Sequence, residues 1–245
     1  MSENDIIRAR LERASSITVL TGAGVSTETG IPDFKSLDED WPYEEPRDAM
    51  LSAPFWRKNP RRFWEVYRET LGATADAGKD QQPGSFHRWL VELEALERIE
   101  SLTILTQNVD GLHSKAGSTT VIEAHGNSSR AICVECKLTV PMESLDGDLL
   151  PTCPRCGFPP LKPDVSLFLE GVTGIGEFRR AIELSGLLIV AGTRLQVGPV
   201  NELPYYAQSI LRPTIWVGDE YPDDFYNFTN HWIGKVEDFV EEFQI

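Results

Sequence analysis

The chain has 245 residues, 41% of them hydrophobic and 25% charged, which argues against a disordered or fibrous protein and leaves room for one large domain with a smaller insertion. Its formal net charge of −15 opposes a phosphate backbone, so direct nucleic-acid binding is not expected; an acidic surface suits basic, lysine-rich segments or simply keeps the protein soluble. Charges interrupt residues 1–16 and no apolar run approaches a membrane span, so the protein is expected in the cytoplasm, without a membrane partner and with its four cysteines reduced.

Over Ser2–Ala14 the apolar Ile6, Ile7, Ala9, Leu11 and Ala14 fall among charges, a pattern compatible with an amphipathic helix. Ile17–Thr21 follows as a short β-branched run ended by Gly22, and similar runs recur at Leu102–Thr106, Val121–Ala124, Leu187–Ala191 and Thr214–Val217. Helical stretches at Gly84–Glu97, Glu177–Leu184 and Glu202–Leu211 lie between them. Strands alternating with helices predict a parallel sheet in a doubly wound α/β fold. Two segments break the alternation: 36–80, rich in Trp, Pro and charge, and 128–160, which holds all four cysteines. Both read as insertions forming a smaller domain over the ligand edge of the sheet.

Cys133-Val-Glu-Cys136 and Cys153-Pro-Arg-Cys156-Gly157 are two C-x2-C knuckles separated by sixteen residues. That spacing fits a closed four-thiolate zinc site, which leaves no position for water and is therefore structural. A redox C-x-x-C pair is the rival reading, but two such pairs with Pro154 and Gly157 at turn positions suit a ribbon better. A nucleic-acid-binding ribbon is disfavoured by the net charge and by flanks poor in Lys and Arg.

Directly after the first strand runs Gly22-Ala23-Gly24-Val25-Ser26-Thr27-Glu28-Thr29-Gly30-Ile31-Pro32-Asp33-Phe34-Lys35. Glycines at a strand-to-helix junction let backbone N–H groups approach a pyrophosphate, which the following helix N-terminus stabilises. The spacing differs from the common dinucleotide fingerprint and reads equally well as a tight turn. The second strand ends in Thr106-Gln107-Asn108-Val109-Asp110-Gly111-Leu112-His113, the third in Glu123-Ala124-His125-Gly126 and the fourth in Gly192-Thr193-Arg194. Ligands of open α/β folds bind at this carboxyl edge, where an imidazole is placed to act as a general base.

The GAGVSTETGIPDF loop, TQNVDGLH, EAHG, the paired knuckles, LKPDVSLF and GTRLQVGP together resemble the sirtuin family of bacterial or archaeal type, in the family's order and over nearly the whole chain. The resemblance implies a Rossmann-like large domain (1–35, 81–127 and 161–245), a small domain made of a helical module (36–80) and a zinc module (128–160), and NAD in the cleft between. It implies phosphate contacts from Gly22, Ala23, Gly24 and Thr27, and Asp33, Phe34 and Lys35 near the nicotinamide-side ribose. Gln107, Asn108, Val109 and Asp110 would accept nicotinamide, with His125 as base and Asn108 and Asp110 positioning the first step. Gly192, Thr193, Arg194, Gly218 and Val236 complete the cofactor contacts; Val165, Phe168, Leu169 and Glu170 belong to a segment that clasps an acyl-lysine peptide by strand addition.

The implied activity is NAD-dependent deacylation of protein lysines, in which the acyl oxygen displaces nicotinamide and water finally releases lysine and O-acyl-ADP-ribose. NAD hydrolysis, ADP-ribosyl transfer, or a zinc-ribbon interaction module without catalysis are the alternatives. Four positions depart from the family pattern: Lys35 stands for Arg, Leu169 for Gly, Arg194 for Ser and Gly218 for Asn. Members favouring acidic acyl groups carry Tyr and, three residues later, Arg in the helical module. Here the matching positions are Tyr67 and Thr70, with Arg68 adjacent, so an uncharged acyl group such as acetyl is expected.

Overall fold

The first helix, α1 (Glu3–Arg13), begins where a capping box can form: the Ser2 hydroxyl accepts from the Asp5 amide, and the Asp5 carboxylate accepts from the Ser2 amide. A computed structural model of the chain describes residues 1–31, 41–72, 81–145, 147–222 and 226–245. Among these, no helix is long and apolar enough to cross a membrane.

The five β-branched runs all enter one parallel sheet. Its strands are β1 (Ser16–Thr21), β2 (Ser101–Thr106), β3 (Val121–Glu123), β7 (Leu187–Ala191), β8 (Thr214–Gly218) and β9 (Asn230–Ile233), in the order β3-β2-β1-β7-β8-β9. The chain runs outward from β1 in one direction, then returns and runs outward in the other, which makes a topological switch point between β1 and β7. The edge strand β9, Asn-His-Trp-Ile, was not legible because it has only one β-branched residue. It is held instead by pairing with β8 from Ile215↔Asn230 to Gly218↔Ile233.

Alternation along the strands sends their side chains to opposite faces. Ile17, Val19, Ile104, Ile189 and Ile215 pack with α1, with α5 (Ser85–Glu94) and with α9 (Val236–Glu242), the last of these unanticipated. Leu20, Leu105, Leu188, Val190 and Trp216 face α7 (Ile175–Leu184) and α8 (Glu202–Ser209). Both faces are therefore covered, as a sheet of purely parallel strands requires.

A second, antiparallel sheet joins β4 (Gly126–Ile132), β5 (Thr139–Pro141) and β6 (Lys162–Val165) in the order β5-β4-β6. It shares one core with α2 (Arg47–Met50), α3 (Ala53–Lys58) and α4 (Pro60–Tyr67), in which Met50, Trp56, Phe63 and Trp64 meet Ala131, Cys133, Cys153, Leu161 and Val165. The Trp64 indole donates to the Leu161 carbonyl at 3.0 Å, a buried bond between the helical and the cysteine-bearing segments. Strand β6 thus pairs with the cysteine-bearing unit. Arg130 ties that sheet to the large one through Glu123 on β3 and braces it internally through Asp164 on β6, each at 2.9 Å.

Candidate active site and metal centre

Register aligns the strand ends of the large sheet. Thr21 lies opposite Thr106 on one side and Ala191 on the other, Thr106 opposite Glu123, and Ala191 opposite Val217. Consequently Gly22, Gln107, Gly192 and Gly218 leave the sheet side by side, with His125 two residues past β3. This is the carboxyl edge at a switch point, where open α/β sheets bind ligands.

The first turn past β1 differs from the expected strand-to-helix junction. Two short 3-10 turns, Ala23–Val25 and Thr27–Thr29, occupy it among the described residues. The Gly24 amide donates to the Gly192 carbonyl at 2.8 Å, and Gly192 has φ +60° with the Val25 nitrogen 2.5 Å from where a Cβ would stand. Glycine is needed there because only it combines a left-handed conformation with so close a backbone approach. The Thr27 hydroxyl is spent on the Gly24 carbonyl at 3.0 Å. Asp33, Phe34 and Lys35 lie outside the described residues.

Gln107 is the hub of the edge. Its amide donates to the Thr21 carbonyl at 2.9 Å, its Oε1 accepts from the Thr193 hydroxyl at 2.7 Å, and its carbonyl accepts from His125 Nδ1 at 3.0 Å. Because Nδ1–H donates to a carbonyl, the lone pair of neutral His125 is on Nε2. Burial pushes the His125 pKa below its ordinary value near 6.5, partly offset by the Gln107 carbonyl, so the ring is neutral at pH 7 and able to take a proton.

Asn108 and Asp110 are bound together by a residue that sequence reasoning missed. The Ser26 hydroxyl donates to Asp110 Oδ2 at 2.8 Å and accepts from Asn108 Nδ2 at 3.1 Å, while Asp110 Oδ1 accepts from the Leu112 amide at 2.9 Å. Ser26 lies inside the glycine loop, and only its placement four residues past Gly22 hinted at a role. Asn108 Oδ1 is left buried with no hydrogen-bond partner among the described residues. An orphaned buried acceptor costs about 1–3 kcal/mol, which a donor on a bound ligand would offset.

The other sequence-derived positions divide. Val109 borders the smaller unit, its carbonyl accepting from Ser128 N–H at 2.9 Å and Oγ at 2.8 Å. Arg194 is exposed. The Gly234 amide donates to the Gly218 carbonyl, so Gly218 and Val236, at the start of α9, share the same edge. A Cβ at Gly218 would stand 3.1 Å from the Trp216 ring, which accounts for the lack of a larger residue there.

In the segment after β6, the Ser166 amide donates to the His125 carbonyl at 2.8 Å. Both main-chain groups of Phe168 are taken, its N–H by Leu51 and its C=O by Ala53. Leu169 is 85% exposed with φ +67°, and the Glu170 carboxylate is spent on Lys162 at 2.6 Å and on the Leu167 amide at 2.9 Å. Tyr67 ends α4 and Thr70 lies in a one-turn π-helix, Arg68–Gly72, with its hydroxyl on the Val66 carbonyl. A π-turn shifts helical register, yet the Arg68 guanidinium stacks 5.4 Å from Trp64 and donates to the Asp148 carbonyl at 2.9 Å.

The four cysteines meet as their spacing predicts. Cys133 and Cys156 sulfurs are 3.7 Å apart, Cys136 and Cys153 sulfurs 3.6 Å, and all four lie within 4.8 Å of one another. Zn–S bonds of about 2.3 Å in a tetrahedron put sulfurs about 3.8 Å apart, so the thiols fit one zinc ion and not disulfides. Both knuckles close in the same way, with Lys137 N–H on Cys133 O and Gly157 N–H on Cys153 O.

A parallel sheet with a polar nucleotide-type edge, covered by a unit built on a four-thiolate zinc centre, defines the class. The chain belongs to the Sir2 family, whose model, described as "Sir2 family", matches residues 22–199. An NAD-dependent protein deacetylase of Bacillus anthracis is 36% identical over 242 residues, covering 98% of both chains. One of Chromobacterium violaceum is 41% identical over 201 residues, covering 82% of this chain and 80% of the relative. The crystal structure of a Sir2 homolog–NAD complex superposes with a TM-score of 0.84 at 28% identity, covering 98% of this chain and 91% of that one.

Proposed function

We propose that the chain is an NAD-dependent protein-lysine deacylase that forms nicotinamide, free lysine and O-acyl-ADP-ribose, working in the cytoplasm on acylated proteins. The reading is carried by the flush strand ends, which bring a neutral His125, bonded through Nδ1 to the Gln107 carbonyl, and the orphaned acceptor of Asn108 to one edge of the sheet. In this reading residues 1–35, 81–127 and 161–245 form the cofactor domain and 36–80 with 128–160 the smaller domain, whose sheet is completed by β6 (Lys162–Val165) from the cofactor domain.

Bound NAD supplies a ribose carbon with nicotinamide as leaving group. Asn108 Oδ1 would accept from the carboxamide of that leaving group, and Asp110, fixed by Ser26 and the Leu112 amide, keeps Asn108 in place through Ser26. The Gly22–Gly24 and Gly192–Thr193 backbones form the floor for the diphosphate and the adenosine half, with Gly218 and Val236 at its far end. His125 Nε2 would take a proton from the ribose hydroxyls, with Nδ1 held on the Gln107 carbonyl. The zinc supports the fold and takes no part in the reaction. The peptide adds along the segment from Val165 to Glu170, in which the Phe168 main chain is already paired with Leu51 and Ala53.

Acetyl-lysine is the preferred substrate. Thr70 cannot give the charged bidentate contact that an acidic acyl group needs, and Arg68 is held by Trp64 and Asp148. Nicotinamide release measured with and without an acetyl-lysine peptide tests the function. A strong dependence on peptide is expected; release at the same rate without peptide would identify an NAD hydrolase instead.

A further inference from the structure

We propose that Lys162 and Glu170 are positioning residues, a buried latch that sets the peptide-clasping segment in register with His125; this rests on the assignment of residues 165–170 to peptide binding. Lys162 opens β6 and is 9% exposed, so its ammonium is nearly out of water. Its Nζ donates to the Val165 carbonyl and to Glu170 Oε2, both at 2.6 Å. The same carboxylate oxygen accepts from the Leu167 amide at 2.9 Å, and the Glu170 amide donates back to the Leu167 carbonyl at 2.9 Å. These four bonds close the chain on itself between Lys162 and Glu170. Leu169, left outside the closure, is turned into the left-handed region.

A buried ion pair is a poor stabiliser, because desolvation offsets its attraction and apolar side chains of similar volume hold a fold as well. What the pair adds is a fixed geometry. The latch sets Leu167 and Glu170, and Ser166 between them and β6 is bonded to the His125 carbonyl. The segment that presents a peptide is thereby joined through Ser166 to the main chain of the residue that takes the proton.

The test compares the full, zinc-loaded chain with Glu170→Gln and with the double variant Lys162→Met/Glu170→Gln. Glu170→Gln, which strands an ammonium, is expected to lower the melting temperature and to weaken acetyl-lysine peptide binding about tenfold or more, with NAD affinity unchanged. The Leu167 amide should exchange with solvent about tenfold faster. The double variant has no stranded charge, so its melting temperature recovers, whereas its peptide KM stays high and its kcat at saturating peptide stays near that of the parent. Peptide affinity that recovers together with melting temperature, or that never falls in Glu170→Gln, would overturn the latch. A parent protein that binds no acetylated peptide would overturn the assignment of the segment itself.

Discussion

The carboxyl edge of the large sheet and the zinc-bearing unit above it are organised by different physics. At the edge, six strands in register bring polar residues together, and hydrogen bonds among Ser26, Gln107, Asn108, Asp110, Thr193 and His125 fix them without a metal. The zinc-bearing unit has strands of three, four and seven residues and a core into which Cys133 and Cys153 themselves are buried. Its sheet is too short to stand alone, so its ion is a structural member. An active site of this kind separates a preformed catalytic floor from a cover whose order depends on metal.

The comparison can be broken most forcefully at the zinc. Small zinc modules gain roughly 10–16 kcal/mol from the metal, comparable to the entire stability of a domain of about 5–15 kcal/mol. Chelation, or Cys133→Ser, is therefore expected to release amide protection in β4, β5 and β6 while β1, β2, β7 and β8 remain protected in hydrogen exchange. Uniform loss of protection in both sheets would show that the two regions are a single cooperative unit. Metal analysis should find one zinc per chain.

A second contrast concerns charge in the cover. Leaving an acidic acyl carboxylate opposite Thr70 without a cationic partner costs about 1–3 kcal/mol, or about ten- to a hundredfold in kcat/KM between acetyl- and succinyl-lysine forms of one peptide. Preference for the succinyl form would mean that Arg68 leaves Trp64 and Asp148, and Arg68→Ala would then remove the preference.

Beneath the catalytic floor, His87 on α5 and His113 on the short helix α6 (Leu112–Ala116) are buried with ring centroids 4.5 Å apart. Burial pushes both pKa values down, that of His113 well below the ordinary 6.5, and His113 is further opposed by its neighbour His87. The unfolded chain then binds more protons than the folded one between the lowered values and about 6.5, so stability is present above that range and falls on acidification through it. Each histidine contributes up to about 1.4 kcal/mol per pH unit in the window. Melting curves from pH 7.5 to 5.5 should show the loss, and His113→Gln, which retains a polar group for the Thr21 hydroxyl at 2.9 Å, should flatten it. An unchanged slope in that variant would assign the pH dependence elsewhere.

The smallest effect is expected at the seam between the regions. On the floor a left-handed position under close backbone approach is a glycine, Gly192, whereas at the seam the left-handed Leu169 has its side chain mostly in solvent. Leu169→Gly relieves backbone strain but adds freedom to the unfolded chain, so a net gain below about 1 kcal/mol in thermal stability is predicted. A clear loss would mean that the leucine side chain packs in a way its exposure does not suggest.

The sequence made the floor easier to read than the cover, for physical reasons. β-branched runs ended by Gly22, Gln107 and Gly192 advertise buried parallel strands and their ligand ends, and two C-x2-C knuckles advertise a zinc ribbon. The antiparallel strands β4 to β6 carry polar and proline residues such as Ser128, Ser129, Pro141 and Pro163, whose pairing depends on distant partners and not on local propensity. Ser26 and the π-turn after Tyr67 share this character, since their roles come from a contact between segments far apart in the chain or from a local change of helical register; the Lys162–Glu170 pair is local, but its closure has no propensity signal. Within the described part of the glycine loop two 3-10 turns stand, held by the approach of Gly24 to Gly192, and the residues from 32 to 40, where a following helix is expected to start, lie outside the described residues.

The most direct test of a preformed floor whose base acts after the cofactor has docked is His125→Ala. Deacetylation of a peptide should fall by about a hundredfold to ten-thousandfold while NAD affinity and zinc content stay near those of the parent. Turnover close to that of the parent would remove His125 from the chemistry and contradict the assignment of the edge.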